Sequence, residues 1–142
     1  MTTLREQITA RVTSVLVGAT PAGANVYRSR ETSITRNLTP AIVVMPDSEQ
    51  DERMGGFADK HQYTLAIEVF TRGDPWDTAA DATAEALHKV MVADPQIRAF
   101  ALDVRKISTE YESQEADRTA GTLTARYVIT YITRSDDLAA QP

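Results

Sequence analysis

Apolar residues recur every three or four positions at the start of the chain. Leu4, Ile8, Val12, Val15 and Leu16 fall on one face, which predicts an amphipathic helix over residues 3–17. Thr2 or Thr3 can cap its start, with Glu6 three residues past Thr3 as the second half of a capping box. Gly18, Pro21 and Gly23 stop it. The helical period then disappears. Residues 26–30 predict a short strand, and residues 31–39 are a polar connection. Residues 41–45, a nearly unbroken apolar run between Pro40 and Pro46, predict a strand covered on both faces. Residues 62–71 alternate cleanly, with Tyr63, Leu65, Ile67 and Val69 on one face and Thr64, Ala66, Glu68 and Phe70 on the other.

Between these two runs, residues 47–60 read as a long charged loop hinged at Gly55-Gly56. A second helix is predicted from Asp74 as N-cap and Pro75 as first helical residue to about residue 92. Trp76, Ala80, Thr83, Leu87, Val90 and Met91 form its inward stripe, and its many alanines favour close packing on a sheet. Asp94-Pro95 breaks it, and a short helical turn over 96–100 follows. Residues 104–113 and 123–133 predict a hairpin with a polar link over 114–121. The last strand is partly apolar on both faces, one for the helices and one for a second subunit. The expected organisation is one domain over residues 1–134 and a flexible tail over 135–142. The expected fold class is α+β: a mostly antiparallel sheet with two main helices on one face, a two-layer sandwich in which the second helix is a right-handed crossover.

Composition narrows the function classes. A length of 142 residues suits one core, and 42% apolar with 25% charged residues argue against global disorder. A net charge of −5 and a pI near 5.0 disfavour a general duplex nucleic-acid binder. The absence of cysteine removes disulfides, thiolate nucleophiles and cysteine-bearing metal sites. No stretch approaches the ~20 apolar residues of a membrane span, and Arg5, Glu6 and Arg11 interrupt any signal-peptide core, so the expectation is a protein that makes no membrane contact.

No catalytic, cofactor or metal constellation stands out. His61 and His88 lie on different elements, where a surface or boundary position is expected. Asp47, Glu49 and Asp51 alternate, but lack the spacing of a calcium loop. Gly55-Gly56 lacks the partners of a phosphate loop. Trp76 is expected to pack on the sheet rather than to anchor an interface. Interaction surfaces are the better candidates. Arg28, Arg30 and Arg36 form a small basic cluster suited to salt-bridging a neighbour's Glu110 and Glu112. The acidic stretch of Asp47, Glu49, Asp51, Glu52 and Arg53 is a patch of opposite sign.

The chain also resembles a known family. The likeness is carried by the N-terminal helix, Val26, Tyr27 and Arg30, the Leu38-Thr39-Pro40-Ala41-Ile42-Val43-Val44 run, and the acidic segment after it. Tyr63-Thr64-Leu65-Ala66-Ile67-Glu68-Val69, Asp74-Pro75-Trp76-Asp77 before an alanine-rich helix, and Tyr127-Val128-Ile129-Thr130-Tyr131 complete it. Over residues 1–133 this is similar to the tail terminator proteins of long-tailed bacteriophages, the minor tail protein U group. The resemblance implies an α+β fold and a homohexameric ring that caps the tail tube. It also implies an end to polymerisation of the major tail tube protein and a surface for the head-completion or connector protein. DNA would pass only as cargo. Assembly in a bacterial host cytoplasm, a location in the virion tail, no catalytic residues and no cofactor go with it. A neighbouring connector or stopper and a small ligand-binding regulatory domain are the alternatives.

Overall fold

The computed structural model describes residues 2–29, 39–73, 75–114 and 117–142. Arg30, Arg36 and Asp74 lie outside them, so the basic cluster is described only at Arg28 and the expected Asp74 cap is not described. The elements in chain order are α1 (Leu4–Leu16), β1 (Val26–Arg28), β2 (Ala41–Gly55), β3 (Ala58–Arg72), α2 (Trp76–Ala93), α3 (Pro95–Phe100), β4 (Asp103–Gln114) and β5 (Asp117–Arg134). The fold is α+β. One five-stranded sheet runs in the order β1-β2-β3-β5-β4. Only β1 is parallel to its neighbour; all other pairs are antiparallel.

The helices cover one face of this sheet. Leu4, Ile8, Val12 and Leu16 of α1 and Ala80, Leu87 and Met91 of α2 join Tyr63, Leu65, Ile67, Val69, Leu123, Ala125, Tyr127, Ile129 and Tyr131 in one core. The alternation of β3 and β5 thus places one residue in two under the helices, and burying an aliphatic or aromatic side chain there is worth ~1.5–3 kcal/mol. Thr3 caps α1 by accepting from the Glu6 amide at 3.1 Å. Glu6 does not complete the capping box, because its carboxylate is held by Arg28. Pro75 occupies the N-cap position of α2 rather than the first helical turn, and no side chain caps that helix.

The segment 47–60 is not a loop. β2 and β3 continue through it as one long hairpin. Gly56 and Phe57, both with positive φ, make its two-residue turn between Gly55 and Ala58. The arm lacks an apolar alternation, so hydrophobicity does not reveal it. Cross-strand pairs hold it instead: Glu52 opposite Lys60, Arg53 opposite Asp59, Asp51 opposite His61. The link 114–121 is likewise shorter than expected, because β5 begins at Asp117 and includes Gly121. Residues beyond Arg134 turn back on the domain. The Leu4 amide donates to the Leu138 carbonyl at 2.9 Å, and the Ser135 amide to the Phe57 carbonyl at 2.7 Å.

Two contacts hold the helices in place, one on the sheet and one between helices. The Trp76 ring lies on Gly121, where a Cβ would stand 2.3 Å from ring carbon Cε2. Arg11 of α1 grips Asp94 with both Nε (3.0 Å) and Nη2 (2.8 Å). Asp94 also caps α3 by accepting from the Ile97 amide at 3.0 Å. The hydrogen bonds from Arg11, more than any other cause, hold the Asp94 carboxyl below its ordinary range.

Gly121→Ala is expected to displace Trp76 and to destabilise the domain by ~1–3 kcal/mol, read as a lower denaturation midpoint at unchanged slope. For Asp94 the folded pKa is depressed, so its contribution is present above the unfolded carboxylate pKa near ~3.9 and is lost as pH falls through the folded value. Asp94→Asn should therefore cost ~1–3 kcal/mol at neutral pH. The gap from the unsubstituted chain should narrow in melts below about pH 4.

Candidate functional site

The long hairpin gathers a polar cluster on the helix-facing side of the sheet. His61 is buried, stacked on the Tyr131 ring with centroids 4.7 Å apart. Its Nδ1 is 2.6 Å from Asp51 Oδ1 and its Nε2 is 2.8 Å from Thr133 Oγ1. Glu49 accepts a hydrogen bond from the Tyr131 hydroxyl on Oε1 and one from Arg5 of α1 on Oε2, the latter at 2.7 Å. Burial first, then the hydrogen bond and charge of Glu49, keep Tyr131 protonated well above the usual phenol range. Thr9 and Tyr63 extend the cluster with a hydroxyl–hydroxyl bond of 2.8 Å.

Glu49, Asp51 and His61 bring donor atoms within 4.8 Å of one another, which is close enough for a cation. Each donor is already engaged, however, so a cation would compete with Arg5 and Tyr131 for Glu49 and with His61 for Asp51. The arrangement is that of a closed structural network that ties β2, β3, β5 and α1 together. The sequence does not reveal it, because residues 47–60 lack the apolar alternation that marks a strand. Once the turn is placed at 56–57, residues 51 and 61 must face each other, and the signal was the charge-matched sequence on either side of Gly55-Gly56.

The opposite face of the sheet is open and acidic. Asp47, Glu68, Glu110 and Glu112 line it with Ala66, Phe70, Thr122 and Thr124. Arg126 stands at its centre, with Nε 3.1 Å from Asp47 and Nη1 2.8 Å from Glu110. Burial, the largest cause, lifts the Glu68 carboxyl above its ordinary range, with Arg126 opposing and Glu112 assisting.

The sequence candidates therefore fall in separate places. Asp47, Glu110 and Glu112 meet on the open face, whereas Glu49 and Asp51 turn to the helix side. Glu52 and Arg53 sit on the exposed arm, beside Lys60 at 3.6 Å and Asp59 at 3.5 Å. Arg28 is bound by Glu6 of its own chain, at 2.6 and 2.5 Å. Pairing Arg28 with a neighbour's Glu110 would thus displace two existing ion pairs. His61 is a core residue rather than the surface or boundary residue expected. His88 is at the boundary, its Nδ1 2.8 Å from the Tyr127 hydroxyl.

His61→Phe keeps the stack on Tyr131 but leaves Thr133 Oγ1 buried with no bonding partner. The expected cost is ~1–3 kcal/mol, measured by chemical denaturation.

Three comparisons place this geometry among known proteins. The family model described as "Phage minor tail protein U" matches residues 2–131. No curated protein matches. A chain of the solved structure "Virion of native gene transfer agent (GTA) particle" is similar in fold, with a TM-score of 0.56 and 13% identity over 92% of each chain. At that identity the likeness speaks for the fold alone. The family match spans both main helices and every strand but the last residues of β5, and so the chain belongs to the phage minor tail protein U family, with a structural role in a phage tail.

Proposed function

We propose that this chain is a tail terminator. Copies close into a ring, six in the reading adopted here, that caps the tail tube and stops polymerisation of the tube protein. The ring then presents its other side to the head-completion or connector protein. The observation that carries this reading is the family match over residues 2–131. The geometry supports it in two ways. The helices cover only one face of the sheet, leaving a second face and two strand edges without partners among the described residues. That second face is acidic, and an acidic lining lets DNA pass as cargo because it offers no cationic track for phosphates.

The role is that of a part rather than an enzyme. Among the described residues the largest clusters of titratable groups are the network around Glu49, whose members are engaged with one another, and the open face, where the carboxylates are spread out; neither sets a nucleophile beside a base in a pocket. Assembly takes place in the bacterial host cytoplasm, and the finished ring resides in the virion tail. The interface residues proposed are Asp47, Glu49, Asp51, Glu52 and Arg53 on β2, Glu110 and Glu112 on β4, Arg28 on β1, and Arg30 and Arg36, which follow it in sequence. A stopper on the head side is the second reading within the same class; the partner bound tells the two apart.

Light scattering of the purified chain, coupled to electron microscopy, is expected to give rings with an open centre. Added to isolated tail tubes, those rings should cap one end and halt elongation. A chain that stays monomeric and leaves tube growth unchanged would refute the reading, and one that binds only the head-side protein would favour the stopper.

A further inference from the structure

We propose that copies of this chain join by their sheet edges, with β2 of one copy, over residues 46–52, lying antiparallel against β4 of the next copy, over residues 102–107. The inference rests on the ring reading above and supplies the contact which that ring would use. β1 pairs with β2 only at residues 42–44, so from Met45 onward β2 has one neighbour, β3, among the described residues. Among the described residues β4 pairs with β5 alone; its residues 109–111 are level with β2 residues 42–44, where β1 sits, so the neighbour's β4 has to leave the line of β2 at the irregularity between Lys106 and Ser108. The two free edges are on opposite sides of one sheet, as a head-to-tail contact requires. Their directions suit it as well. Three successive antiparallel pairings make β4 run opposite to β2, so a neighbour placed alongside continues the antiparallel pattern.

Register puts the two free stretches at one height. Arg105 is level with Val128, Thr64 and Ser48; Asp103 is level with Thr130, Gln62 and Gln50. Side chains level with each other lie on the same face, so Ser48, Gln50 and Glu52 form one row with Arg105 on the open side.

Charge is divided between the edges. The β2 stretch carries Asp47, Glu49, Asp51 and Glu52, of which Asp51 and Glu52 expose 60% and 71% of their side chains. On the other side, Arg98, Arg105 and Lys106 form no ion pair among the described residues. Edge charges commonly serve to prevent pairing, and a protective edge needs only charge of any sign. Here the β2 edge is acidic, and on the β4 side Arg98, Arg105 and Lys106 outnumber Asp103, so the two edges carry net charge of opposite sign and attract each other.

Exposed apolar residues follow the same line. Leu102 is 66% exposed and Ile107 48% exposed on the β4 side; Met54 is 53% and Phe57 84% exposed at the tip of the β2–β3 arm. Phe57 adopts φ +62°, a conformation unfavourable for a side-chain-bearing residue, and leaves most of its surface to solvent. Beyond the start of β4 on a neighbouring copy, a cleft lined by Val92, Arg98, Ala101 and Leu102 is where an aromatic tip extending past residue 52 would arrive. A closed ring would use every such edge and leave none exposed.

The test uses two full-length variants. One is Arg105→Glu with Lys106→Glu, which makes the β4 edge acidic. The other is Ser48→Lys, Gln50→Lys and Glu52→Lys, which makes the open-side row of β2 basic. All five positions are exposed. Each variant alone sets like charges against one another and should assemble about a hundredfold more weakly than the unsubstituted chain. An equimolar mixture sets acidic β4 against basic β2 and should recover assembly, which two merely misfolded proteins would not do. If the mixture stays as weak as its components, or if either variant assembles as well as the unsubstituted chain, the edge pairing is overturned while the ring reading stands. An unsubstituted chain that neither assembles nor caps tubes overturns both. Where rings form only on tubes, capping is the readout for the same samples, with the same meanings.

Discussion

β3 is the constraint on which the rest of this structure depends. It is paired with β5 along its full length, from Ala58 to Arg72, and with β2 from Ala58 to Phe70. A strand held in this way has one register, since a slip of one residue would turn Tyr63, Leu65, Ile67 and Val69 out of the core and bring Glu68 in. That register also assembles the polar cluster. Asp51, His61 and Tyr131 are one row across three strands, and Glu49 and Tyr63 are another. The network around Glu49 is therefore a consequence of the strand pairing, and in return it pins the polar half of the hairpin, which has little apolar surface of its own to bury.

The helices answer only half of what the sheet demands. α1 and α2 cover the face that carries the aliphatic and aromatic residues, with Trp76 seated on Gly121 and Arg11 clamped on Asp94 as the points of closure. The other face carries carboxylates around Arg126, and both edges beyond the short β1 lack strand partners among the described residues. Such incompleteness suits a chain whose family works as part of a phage tail. In the proposed ring, the open face and the free edges are the surfaces that other copies, the tube and the passing DNA would meet.

Charge within the chain is distributed by function of position rather than by overall balance. Internal pairs such as Arg5 with Glu49 and Arg28 with Glu6 stitch α1 to the hairpin and to β1. Acids collect on the open face and on β2, where Arg126 and Lys60 pair with some of them, and the cations Arg105 and Lys106 at the start of β4 form no ion pair among the described residues. A net charge of −5 hides that division.

The sequence alone determined the core elements. A three-to-four residue period specifies α1 and the buried stripe of α2, and a two-residue period specifies the inner halves of β3 and β5, because each pattern buries one apolar face in only one kind of structure. From these followed the α+β class, and the order of strands with their polar marks carried the family likeness. Only the tertiary structure decided the outer half of the hairpin, where residues 47–60 have no apolar alternation and become strand through their pairing with β3 and β5. It alone decided that His61 is buried, that Asp47 and Asp51 face opposite sides of the sheet, and that Arg28 is spent on Glu6. Polar side chains take their roles from whichever neighbours the fold brings near. Apolar ones need only leave water, and that preference is already legible in their spacing.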